Sequence, residues 1–123
     1  MTKQEELRDR TKKFAVRIVK LFKALPKTDE ARIFGKQLLR SGTSVGANYR
    51  AVCRARSHAE FVAKIGVVVE EADETVFWLE LLIETEIITA TKLGSLLEEA
   101  NQLLAIMAVS QTTAKRNSPR FKK

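Results

Sequence analysis

The chain has 123 residues, 45% of them apolar, and a formal net charge of +7 from 22 Lys/Arg against 15 Asp/Glu. That length suits one domain, and the apolar fraction is too high for a disordered chain. No apolar run is long enough to span a membrane, the charged N-terminus lacks the apolar core of a secretory signal, and the single cysteine, Cys53, permits no internal disulfide, so a cytoplasmic protein is expected.

Two prolines, five glycines and many Ala, Leu, Glu, Lys and Arg residues point to helices. Apolar periodicity predicts four of them. The first covers about residues 3–25: Leu7, Phe14, Ile18, Leu21, Phe22 and Leu25 recur three and four apart, and Pro26 ends it. The second covers about 29–55, capped by Thr28 or Asp29, with Ile33, Phe34, Leu38, Val45, Tyr49 and Val52 as its apolar stripe. The third covers about 57–88 and opens on a capping box, Ser57 with Glu60. Its apolar residues spread around much of the circumference, so it is expected to lie centrally or at an interface, with Phe77, Trp78 and Leu81 as candidate oligomer contacts. The fourth, about 91–113, is capped by Thr89 or Thr91 and buries Leu93, Leu96, Leu97, Ala100, Leu103, Leu104 and Met107. Residues 114–123 read as a disordered basic tail. Links this short dictate an all-α, antiparallel up-down four-helix bundle over residues 1–113.

The second helix contains an unusual stretch, Leu38 to Arg54, dense in small and hydroxyl residues. Each interior glycine costs a helix about 1 kcal/mol relative to alanine. A neighbouring backbone packed unusually close would offset that cost, which makes Ser41, Gly42, Ser44, Gly46 and Asn48 a candidate packing motif. Gly42 and Gly46 lack the spacing, lysine and preceding strand of a phosphate-binding loop.

Charge is segregated along the chain. Residues 1–64 hold 16 Lys/Arg and 6 Asp/Glu, residues 65–114 hold 1 and 9, and the last nine residues add 5 cations. Arg10, Lys13, Arg17 and Lys20 share a face of the first helix. Lys36, Arg40, Arg50 and Arg54 are read as a matching rail on the second, with gaps of 4, 10 and 4 taken as near whole turns. Two basic rails on adjacent helices would suit a phosphate backbone, bound without sequence specificity. The alternative is that basic and acidic faces meet between subunits in a homo-oligomer. Few aromatics accompany the charges, so base stacking is not indicated.

Enzyme chemistry finds little support. Glu70, Glu71, Asp73, Glu74, Glu80 and Glu84 crowd the third helix, but a di-iron bundle needs Glu-x-x-His on two helices and His58 is the one histidine. Cys53 and His58 lack a third orienting group. Neither a metal or other cofactor nor a catalytic residue is expected.

Leu-Leu-Arg-Ser-Gly-Thr-Ser-Val-Gly-Ala-Asn at 38–48, then Glu60-Phe61 and a Glu-rich helix running to Trp78-Leu79-Glu80-Leu81, resembles a bacterial four-helix-bundle family. Its first members were read from intervening sequences in 23S ribosomal RNA genes and mislabelled as the S23 ribosomal protein. The resemblance covers roughly residues 10–110. It implies a homo-oligomeric barrel, a pentamer, with a basic surface. Relatives include the accessory variability protein of diversity-generating retroelements, which binds nucleic acid and a reverse transcriptase, so partners of both kinds are implied here. Many relatives continue the motif with Ile-Ala-Glu-Gly, whereas this chain has Tyr49-Arg50-Ala51-Val52-Cys53-Arg54, arginines in place of an acid.

Overall fold

The structure, a computed structural model, describes residues 1–117. Four helices follow in chain order, α1 (Lys3–Ala24), α2 (Asp29–Cys53), α3 (His58–Glu84) and α4 (Ala90–Arg116), with no strand among the described residues. Each packs along its chain neighbour in an antiparallel four-helix bundle, whereas the fourth adjacent pair, α1 and α4, packs more loosely than these three.

A hydroxyl side chain caps every helix start, accepting one of the orphan N–H groups there. Thr28 accepts from Ala31, Ser57 from Glu60 and Thr89 from Lys92. At α1 the box is reciprocal: Thr2 accepts from the Glu5 N–H at 3.1 Å, and the Glu5 carboxylate accepts from the Thr2 N–H at 3.4 Å. The box expected at Ser57 is different, because the Glu60 carboxylate turns to Lys64 at 2.9 Å.

Two boundaries differ from the sequence expectation. The third helix stops at Glu84 rather than near residue 88. There Glu86 adopts φ 61°, its N–H bonds the Ile83 carbonyl, and the Ile87 N–H bonds Leu82. This is a Schellman termination with a non-glycine residue in the left-handed position. It turns Ile87 and Ile88 back onto the core, and their burial is what the helix ends for. At the other end, α4 runs past residue 113 to Arg116, because Ala114 is buried and its carbonyl meets His58 Nε2 at 2.8 Å. Of the expected disordered tail, residues 114–116 are therefore helical, and 118–123 lie outside the described residues.

The core has two parts. Phe14, Ile18, Leu38, Leu79, Leu82 and Leu103 anchor the larger one, nearer the Pro26 end. Val45, Tyr49, Val52, Ile65, Val68 and Met107 form the other. Between them α1 presents not an apolar side chain but Thr11, fully buried, its hydroxyl bonded to the Leu7 carbonyl at 2.8 Å. A Cβ on Gly46 would lie 3.2 Å from the Thr11 carbonyl oxygen, and one on Gly42 only 2.8 Å from Ile18 Cγ1. α2 therefore meets α1 almost backbone to backbone along this stretch. The other side of the same stretch faces α3, where the Ser41 and Thr75 hydroxyls lie 3.1 Å apart and both residues are fully buried. Ser44 bonds within its own helix, to the Arg40 carbonyl, and Asn48 is half-buried. The small residues thus serve two seams, with the glycines on one side and a buried hydroxyl pair on the other.

Candidate nucleic-acid interface

The two basic rails do not run side by side. On α1, Arg10 turns toward α4: its Nε and Nη2 donate to the two oxygens of Glu99 at 2.8 and 2.7 Å, and Nη2 also reaches Gln102 at 2.7 Å. Arg17 follows, donating to Ser95 at 3.0 Å. These long side chains span the loose α1–α4 seam. Lys13 pairs with Asp9 on its own helix at 2.9 Å, and Lys20 is exposed.

On α2 the rail divides. Arg40 turns toward α3, where Nη2 donates to Glu74 at 2.6 Å and Nη1 approaches Glu71 at 3.4 Å. The Trp78 indole N–H donates to the same Glu74 carboxylate at 3.3 Å. Lys36 is exposed one turn earlier. Ten residues at 3.6 per turn leave Arg50 about 80° around the helix from Arg40, so the expected single rail is twisted apart. Arg50 and Arg54 instead face α1, where with Arg8 they line a cleft of about 230 Å³.

Arg8 was missed in the sequence because it lies outside the Arg10 stripe. The close approach of α1 and α2 is what brings it in. With Gly46 against Thr11 in an antiparallel pair, one turn back on α1 and one turn on along α2 place Arg8 beside Arg50. Arg54 is the C-cap of α2, and its Nε donates to the Arg50 carbonyl at 3.4 Å. Among the described residues none of these three arginines makes an ion pair, unlike Arg10, Lys13 and Arg40.

The titration behaviour follows these pairings. Hydrogen bonding to Arg10 holds the Glu99 carboxyl below the usual carboxylate range, and Arg40 does the same to Glu74. Burial, then Cys53 one turn on, pushes the Tyr49 phenol up to about 12. His58 Nε2 lies 2.8 Å from the Ala114 carbonyl oxygen. Among the described residues no three His, Cys, Asp or Glu side chains are grouped to hold a metal, and no helix is long and apolar enough to cross a membrane.

The candidate oligomer contacts lie on α3. Phe77 is 53% exposed and stacks edge-on against Trp78, with ring centroids 4.9 Å apart. Trp78 is half-buried and lies 5.9 Å from Phe34 of α2, and Leu81 is half-buried. Ile33 of α2, 60% exposed, adds a second exposed apolar side chain.

The family model for the 23S rRNA-intervening sequence protein matches residues 3–109, nearly the whole bundle. The chain belongs to the 23S rRNA-intervening sequence protein family. A solved structure from Bacteroides thetaiotaomicron, described as a protein of unknown function from the S23 ribosomal protein family, is 39% identical. It superposes with a TM-score of 0.82, covering 90% of this chain and 99% of its own. No curated protein matches this chain. Within this family fold, Arg8, Arg50 and Arg54 form the one arginine cluster of the described chain that no carboxylate neutralises.

Proposed function

We propose that this protein is a non-enzymatic nucleic-acid-binding helical bundle, engaging RNA or DNA through phosphate contacts at one end rather than along two rails. The Arg8, Arg50 and Arg54 cluster carries the reading. Clustered guanidiniums without carboxylates are what a phosphate contact needs, since arginine donates in a planar fork that suits phosphate oxygens. The up-down topology brings further cations to the same end: Lys115 and Arg116 in the last turn of α4 and, in the α2–α3 link, Arg56, which is shared with Glu60 at 3.7 Å.

Titration of labelled RNA and DNA at low and moderate salt tests it. Affinity should fall as salt rises, with a log–log slope of roughly −0.7 per phosphate contacted on single strands. Arg50→Gln with Arg54→Gln should make that slope shallower by about 1 to 2. Arg40→Gln should leave the slope unchanged, because Arg40 is already paired with Glu74. Absence of binding even at low salt would refute the proposal.

A second reading is favoured by the exposed Phe77 and Ile33: homo-oligomer assembly, with subunits meeting across the α2–α3 face. On this reading the bundle could also present itself to a protein partner such as a reverse transcriptase. Light scattering across protein concentration decides it, with Phe77→Ser weakening assembly. A chain that stays monomeric at every concentration rules the reading out.

A further inference from the structure

We infer that the Arg8, Arg50 and Arg54 cleft takes a phosphomonoester dianion, specifically the terminal phosphate of a nucleic-acid strand, in preference to an internal phosphodiester. This rests on the nucleic-acid reading above and adds to it what the site selects.

Charge is the first argument. Three arginines line the cleft, and no carboxylate lines it. The C-terminus of α2 carries roughly half a negative charge, which favours Arg50 and Arg54 there and offsets only part of the sum. An internal phosphodiester brings a single negative charge. A terminal phosphate brings about −1.5 to −2 at neutral pH and three strong acceptor oxygens, the closer match to three forked donors.

Layout is the second argument. A strand bound by its internal phosphates needs cations that continue along its path. Of the cations further along α1 and α2, Arg10 is committed to Glu99 and Gln102 across the α1–α4 seam and Arg40 to Glu71 and Glu74 toward α3, and Lys12, one turn on from Arg8, is exposed beside the cleft. What distinguishes the end of the bundle is that three arginines, with forked donors, line one cleft there. Helix-end electrostatics accounts for Arg50 and Arg54 but not for Arg8, which comes from a different helix and completes the cluster.

The test compares one short single-stranded RNA carrying a 5′-phosphate with the same RNA carrying a 5′-hydroxyl, by fluorescence anisotropy with the label at the 3′ end. The phosphorylated strand is expected to bind about tenfold tighter at neutral pH, one charge-assisted hydrogen bond at the weak end of its range. That ratio should shrink, without reaching unity, as pH falls below about 6, where the monoester loses its second charge and keeps its first. Arg8→Gln should weaken both strands but the phosphorylated one more, so that the ratio between them falls toward unity. If that variant loses its helical circular dichroism, Arg54→Gln carries the same expectation. Equal affinity for the two strands overturns the inference and leaves the nucleic-acid reading standing. No binding to either strand at low salt removes both. A phosphoserine peptide that binds as tightly as the phosphorylated RNA overturns the assignment to a nucleic-acid end.

Discussion

Gly42→Ala puts the packing of α2 on α1 to a quantitative test. In an exposed helix interior this change stabilises by about 1 kcal/mol, because alanine loses less backbone entropy on folding. At Gly42 the new Cβ would lie 2.8 Å from Ile18 Cγ1 and 2.9 Å from Ile18 Cγ2. Both carbons branch directly from the Cβ of a β-branched residue, whose χ1 has one strongly preferred rotamer in a helix. Ile18 is fully buried, so it has nowhere to turn and α1 itself must shift. Overpacking of this kind costs about 1–3 kcal/mol, and contact with both γ carbons places it near the upper end. Subtracting the propensity gain leaves a net destabilisation of about 2 kcal/mol, or about 8 °C in Tm for a chain this long. Gly94→Ala is the internal control: a Cβ there meets nothing within 4 Å, so Tm should rise by about 4 °C. Thermal melts by circular dichroism read both. If Gly42→Ala raised Tm as Gly94→Ala does, the close-packing account of the small-residue stretch would be wrong. In a double-mutant cycle Ile18→Ala, which by itself costs about 2–5 kcal/mol, should shrink the Gly42→Ala penalty, whereas Ile18→Val, which keeps both γ carbons, should leave that penalty unchanged.

Two further predictions concern the helix end and the ion pairs. Glu86→Gly should stabilise by about 1 kcal/mol, since the left-handed conformation costs a non-glycine residue about 1–2 kcal/mol and glycine's added unfolded-state entropy returns part of that; a urea melt with a lower midpoint than the parent would contradict it. Glu99 is held below the usual carboxylate range by Arg10, so its contribution is fully present above its unfolded pKa near 4.3 and is lost as pH falls through the lowered folded value. Glu74 shifts in the same direction, but its partner Arg40 is half-exposed, so it contributes less. Arg10→Gln should therefore flatten the loss of stability below about pH 4.3, measured by urea unfolding across pH; an unchanged acid limb would show that the pair is not responsible.

Much of the bundle was legible because one-dimensional signals decided it. Thr28, Ser57 and Thr89 mark helix starts by a local hydroxyl-to-amide bond, and Pro26 marks an end by local sterics. The end of α3 was not legible, because Glu86 carries no glycine signal and only burial of Ile87 and Ile88 justifies its conformation. Nor was the full extent of α4, whose last turn is held by contact between Ala114 and α3. Among the basic residues, the sequence spacing placed Arg10 and Arg17 together, and the structure puts both against α4. It joined Arg40 to Arg50, which the helical angle separates, and it omitted Arg8.

The number of helices, their order, the family and a backbone-close seam at Gly42 and Gly46 were all readable from residue order. These follow from periodicity, caps and the missing side chains, which are properties of a single segment. The tertiary structure alone decided which cations are neutralised and which are left facing one another. Pairing depends on which helix lies opposite and in what register, and that register is set where Gly46 meets Thr11. The seam thus places Arg8 beside Arg50 and Arg54, while the loose α1–α4 seam draws Arg10 to Glu99.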